Sequence, residues 1–197
     1  MSTGVLLLRG PSATAARWVG RGLVSARVIA HGPWTAVQLV GDRARSAPPY
    51  DDAARALMAR PMGRRLRPAV GFFVTDGTGV LTVRPKGWHS RLTWLVWTPD
   101  TGARPAPGLP PVRVDDLRHL APGVSASEIR RALSTRPADP VAWLSGILVT
   151  LGLPGAGLLT GAEEGGAVVH PSAASVRRFD AMVADDRDHR AELGDPP

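Results

Sequence analysis

The sequence contains no cysteine. Disulfides, thiolate metal ligands and a cysteine nucleophile are therefore excluded, and so is the usual staple of a small secreted fold. Lysine is nearly absent too: Lys86 is the only one, and arginine carries almost all of the positive charge. With the abundant Ala, Gly and Pro, this reads as the product of a GC-rich coding sequence, so the arginine bias alone does not point to a function. Residues 1–9 have no basic start and only four consecutive apolar positions, which do not make a signal peptide. Cytoplasmic residence is the expectation.

Long apolar runs are scarce as well. One segment, 140–161, is free of charge over 22 residues, a length that can cross a bilayer. Arg130, Arg131 and Arg136 precede it and Glu163 and Glu164 follow, which would place the N-terminal part inside. Its dense part is only 141–153, however, broken by Ser145, Gly146, Thr150 and Gly152 and closed by Pro154. A run of that length is expected as a buried helix, and a membrane partner is not expected.

Recognisable cofactor and metal motifs are also missing. Gly155, Gly157 and Gly161 follow a GxGxxxG spacing without a preceding strand, whereas a dinucleotide loop needs GxGxxG between a strand and a helix. Arg9, Gly10, Pro11 and Ser12 form a βα turn that lacks the Lys-Ser/Thr pair of a phosphate loop. The histidines His31, His89, His119, His170 and His189 form no HxxxH or HExxH pair. Asp115 and Asp116 precede His119 at helical spacing, and Asp185, Asp186 and Asp188 flank His189. Both clusters read as solvated surface, so no cofactor, metal ligand or catalytic residue is assigned.

What is present suits a globular α+β chain. Apolar residues make up 44% of 197, enough for one ordinary domain or one domain with a helical addition. Residues 5–9 read as a strand, and a helix over 13–23 follows Ser12 as N-cap. Segments 26–31 and 34–40 read as a hairpin across Gly32 and Pro33, and 50–59 as a helix with Asp51 and Asp52 near its start. Segments 69–75 and 80–84 flank Asp76-Gly77-Thr78-Gly79, the strongest short-range hairpin signal in the chain. Residues 91–97 form a further strand, with Trp94 and Val96 on one face and Leu95 and Trp97 on the other, as in a strand covered on both sides.

The resulting order is β-α-β-β-α-β-β-β. Its first six elements are ferredoxin-like, with a hairpin extension. The predicted fold is thus α+β: a mainly antiparallel sheet with two helices over residues 1–100. A Pro/Gly-rich linker at 101–111 follows, then a helical appendage over 112–197 with a charged C-terminal tail. In that last region Ser125 and Glu128 make a capping box, and Asp139-Pro140 is an N-cap followed by proline at the first helical position. A short strand is predicted at 167–170 and a last helix at 172–193.

The net charge is unevenly spread. Residues 1–104 carry 15 basic and 5 acidic side chains, while 105–197 carry 9 and 12. Arg55, Arg60, Arg64, Arg65 and Arg67 cluster after the second helix, where Arg43, Arg45, Arg84, Lys86 and Arg91 could extend them into a phosphate-binding patch. Six tryptophans stand against one tyrosine and three phenylalanines. Trp18, Trp34, Trp94 and Trp97 are expected in the core, but Trp88 follows Lys86 in a loop, where an exposed indole suits recognition.

The leading expectation is a non-catalytic intracellular protein-interaction or regulatory module with another protein as partner. The alternative is nucleic-acid or polyanion binding through the Arg-rich N-terminal domain. An enzyme built from scattered residues ranks lower; His31, His89 and His170, with Asp42, Asp76 or Asp115, would be its candidates.

Overall fold

The computed structural model describes residues 2–87 and 90–192, with side chains to residue 189. One antiparallel sheet organises them. Its strands are β1 (Thr3–Leu8), β2 (Ala26–His31), β3 (Trp34–Leu39), β4 (Ala69–Thr75), β5 (Thr78–Arg84), β6 (Thr93–Thr98), β7 (Gly102–Pro105) and β8 (Ala167–Val169). They lie in the order β7-β6-β5-β4-β1-β3-β2-β8. The helices are α1 (Ser12–Gly20), α2 (Ala53–Ala59), α3 (Val114–Arg118), α4 (Ala126–Ser134), α5 (Pro140–Thr150), α6 (Ala156–Thr160) and α7 (Ala173–Glu192).

The four central strands explain the chain path. β1 lies between β3 and β4 and is antiparallel to both, and β3 lies between β1 and β2. Two β-α-β units, β1-α1-β2 and β3-α2-β4, are therefore interleaved, each placing its strands on either side of a strand from the other. This is the split arrangement that the order of the first six elements predicts. β5, β6 and β7 then extend the sheet as a meander beyond β4, and β8 returns from far along the chain to cover the β2 edge.

Local chemistry sets several elements. Asp76 and Gly77, with φ of 50° and 72°, are the central residues of the β4–β5 hairpin. Left-handed conformation at both positions is what a two-residue turn needs to match strand twist, and Asp-Gly tolerates it. Asp52 caps α2 by accepting from the Arg55 N–H at 2.6 Å. Ser125 and Glu128 form the expected capping box of α4, and Asp139 caps α5 ahead of Pro140. Ser12 is not a cap: α1 begins at this residue, its N-cap position is Pro11, and no side chain closes its end. The helix stops at Gly20, short of the expected residue 23.

Both sheet faces are buried, which is why β4 (AVGFFVT) is inaccessible along its whole length rather than at alternate residues. One face carries Leu6, Leu8, Val37 and Phe73 against α1 and α2. The other carries Val5, Leu7, Phe72 and Trp97 against α4, α5 and α6. On this second face Trp97 stacks on Trp143 of α5, centroids 5.7 Å apart and planes at 14°. Both indole N–H groups donate to carbonyls at the end of α4, those of Thr135 and Leu133. The helical region after residue 112 thus completes the sheet's core.

Segment 101–111 holds regular structure: β7 occupies Gly102–Pro105, and the Trp94 N–H donates to the Pro110 carbonyl at 2.8 Å. Proline is compatible with an edge strand, where its missing N–H faces outward. The apolar segment 140–161 is divided between α5 and α6, and no helix among the described residues is long and apolar enough to cross a membrane.

Candidate functional site

The arginines singled out in the sequence have separate tasks. Arg55 reaches across to the Asp76 carboxylate at 2.8 Å, an exposed pair at the back of the β4–β5 turn. Arg67 donates to the Met62 carbonyl from two nitrogens, at 3.2 and 2.8 Å, and to the Gly87 carbonyl at 3.1 Å. It braces the loop after α2. Arg64 and Arg65 are exposed on a 3-10 turn over Arg64–Leu66, and Lys86 is exposed beyond β5. Trp88 and His89 lie outside the described residues. Arg60 packs on Trp18 of α1.

The histidines are also dispersed. His31 Nε2 comes to 3.4 Å from Glu163 Oε1, His170 Nδ1 shares a hydrogen with Ser25 Oγ at 3.0 Å, and His119 bonds the carbonyl of its own Asp115. No group of three or more His, Asp or Glu side chains suited to a metal ion occurs among the described residues. Trp18, expected in the core, sits half-buried at its margin, while Trp34 and Trp97 are buried as expected.

A cleft of about 470 Å³ opens beside Trp18, between the end of α1, the length of α2 and the inner side of α7. Ser175, Phe179 and Met182 contribute the α7 wall; their spacing of four and three residues puts them on one helical face. The opposite wall is apolar, with Val24, Leu57 and Ala56. Tyr50 meets Phe179 edge to face at 5.4 Å and closes one end. α7 is tied at its start, where the Ser172 N–H donates to the Gly20 carbonyl at 2.8 Å, and again where Arg187 donates to the Pro48 carbonyl at 3.4 Å. Between these ties its outward side is exposed, and so is Met182, at 57%.

Charge in the cleft is one-sided. The Arg60 guanidinium lies 4.3 Å from the Trp18 ring centroid, and the indole is fixed by its N–H donating to the Pro61 carbonyl at 2.9 Å. Beneath the guanidinium is Gly22; a Cβ there would collide with Arg60 Nη1, so only glycine leaves room for this pose. Burial and the neighbouring Arg21 charge lower the Arg60 pKa to about 10. Asp52, the carboxylate on the cleft wall, is committed to capping the Arg55 N–H at 2.6 Å and to Ser2 and Thr75 hydroxyls at 3.4 Å. Among the described residues, neither Arg21 nor Arg60 has a carboxylate partner. A second hollow of about 450 Å³ continues the cleft past Arg21, where Arg178 joins the rim.

The arrangement suits binding: an apolar trough, a fixed cation at its wall and a second cation at its mouth. Sequence reasoning found Arg60 and Arg55, which both line the cleft, but not the groups that seat Arg60. Trp18, Arg21 and Gly22, which surround it, lie some forty residues earlier in the chain, and no local signal links them to it. No family model matches the chain, and neither a curated protein nor a solved structure matches it.

Proposed function

We propose that the chain is a non-catalytic regulatory module that recognises another protein in the cytoplasm, and that its binding face is the cleft bordered by α2 and α7. The observation that carries this reading is the cleft itself. It is concave, mainly apolar and edged by two arginines that have no acidic partner among the described residues, the composition of a recognition site. Its one lining carboxylate is a helix cap and its walls hold no histidine, so a general acid–base pair is missing where a substrate would sit.

Polyanion binding draws less support. Arg55 is paired with Asp76, Arg67 is bonded to backbone carbonyls and Arg60 is folded onto Trp18, so the arginine-rich stretch does not present one basic face. The test is capture of partners from the native host by wild-type protein, by Met182→Glu and by Trp88→Ala. Met182 is exposed, so a charge there leaves the fold intact while spoiling the cleft. Partners retained by wild type and Trp88→Ala but lost by Met182→Glu are expected. Equal capture by all three would remove the cleft from the binding face.

A further inference from the structure

We propose that the cleft is built for an organic anion with an apolar body, of the fatty-acid or aryl-carboxylate class, whose carboxylate is clamped by Arg60 and Arg21. The proposal rests on reading the cleft as the binding site and adds the chemistry of what enters it.

Three features converge on this class. The cleft is about 470 Å³, within the range that encloses a small organic molecule. Its walls of Val24, Leu57, Tyr50, Phe179 and Met182 favour hydrocarbon along most of its length. Of the charged groups that line it, Asp52 is taken up in capping α2 and Arg55 is paired with Asp76, which leaves Arg60 and Arg21 to meet a ligand. Arg60 stacks over Trp18 and lies against Gly22, with the Arg21 charge beside it, and neither arginine has an acidic partner among the described residues. Arg60 is partly withdrawn from water beside the exposed charge of Arg21, and a carboxylate between the two relieves their repulsion. Guanidinium forks match carboxylate oxygens in geometry, so the pair selects for this group over an alcohol of equal length.

A cationic or purely apolar ligand would leave the repulsion in place. A multiply charged phosphate compound would leave most of the apolar wall unused. The ligand would touch Phe179 and Met182, so its presence would bear directly on the seating of α7.

The test is calorimetric titration of the full chain with octanoate, decanoate, dodecanoate and 1-decanol, repeated on Arg60→Met and Arg21→Met. One-to-one binding is expected, tightening about fourfold per added methylene until the cleft is filled. Decanol is expected to bind about tenfold or more weakly than decanoate. Arg60→Met should bring decanoate down to the affinity of decanol while leaving decanol unchanged, and Arg21→Met, at an exposed position, should weaken decanoate selectively. Equal binding of decanoate and decanol, indifference to both substitutions, or no binding of any carboxylate would overturn the proposal. If partner capture still depends on Met182 in that event, the cleft remains the interaction face and only the ligand assignment falls.

Discussion

Arg60 shows how one side chain can be useful to binding and unhelpful to folding. Its pKa is lowered to about 10, first by burial and then by Arg21. A cation whose folded pKa lies below its unfolded value destabilises the fold at every pH below that folded value, and the penalty lifts only as pH rises through about 10. Replacing Arg60 by Met removes the penalty and forfeits a cation–π contact worth about 0.5–1 kcal/mol. Thermal denaturation at neutral pH should therefore find Arg60→Met no more than about 1 kcal/mol less stable than wild type. Glu128 acts on stability in the opposite sense. Hydrogen bonds from the Ser125 hydroxyl and N–H hold its carboxyl below the ordinary value of 4.5. A lowered carboxyl pKa supports the fold above its unfolded value, and that support fades as pH falls below 4.5. Ser125→Ala should move the Glu128 carboxyl resonance titration back toward 4.5, which NMR would read directly.

Among the elements, those governed by neighbours in sequence were legible. The Asp76-Gly77 hairpin, the Ser125 capping box and the Asp139-Pro140 helix start all stand where the sequence puts them, because a turn or a cap is decided within four residues. Gly77 tests this: a Cβ there meets nothing, so Gly77→Ala isolates the backbone cost. Its φ of 72° predicts a loss of about 1–2 kcal/mol, with Gly77→Asn losing less, in denaturant titration. Elements that depend on distant partners were harder to read. β7 looks like a linker because Gly102 and Pro105 break local patterns, and only pairing with β6 makes it a strand. α7 stands where a last helix over 172–193 is expected, but nothing local reveals that Phe179 finds Tyr50. For the same reason Arg60 was visible as a charge while its seat on Trp18 was not.

At the scale of the molecule, the sheet is a shared wall between two apolar layers. Leu144 and Leu148 of α5 are fully buried in the same cluster as Phe72, Leu81 and Trp97 of the sheet. Leu144→Ala should cost about 2–5 kcal/mol as a single cooperative loss seen by both near- and far-ultraviolet circular dichroism. A fragment ending at residue 110 would leave Val5, Leu7, Phe72 and Trp97 uncovered, and it should bind hydrophobic dyes and aggregate rather than fold. The other layer holds α1 and α2 and ends at the cleft, which makes α7 the element whose surroundings binding would change. Methionine methyl NMR reads that place directly. Met182 lines the cleft, while Met58 and Met62 are buried in the core of the α1/α2 layer. Titration of methyl-labelled protein with decanoate should shift the Met182 resonance in a saturable way and leave Met58 and Met62 in place. A Met182 resonance that stays still, or a uniform shift of all three, would contradict binding in the cleft.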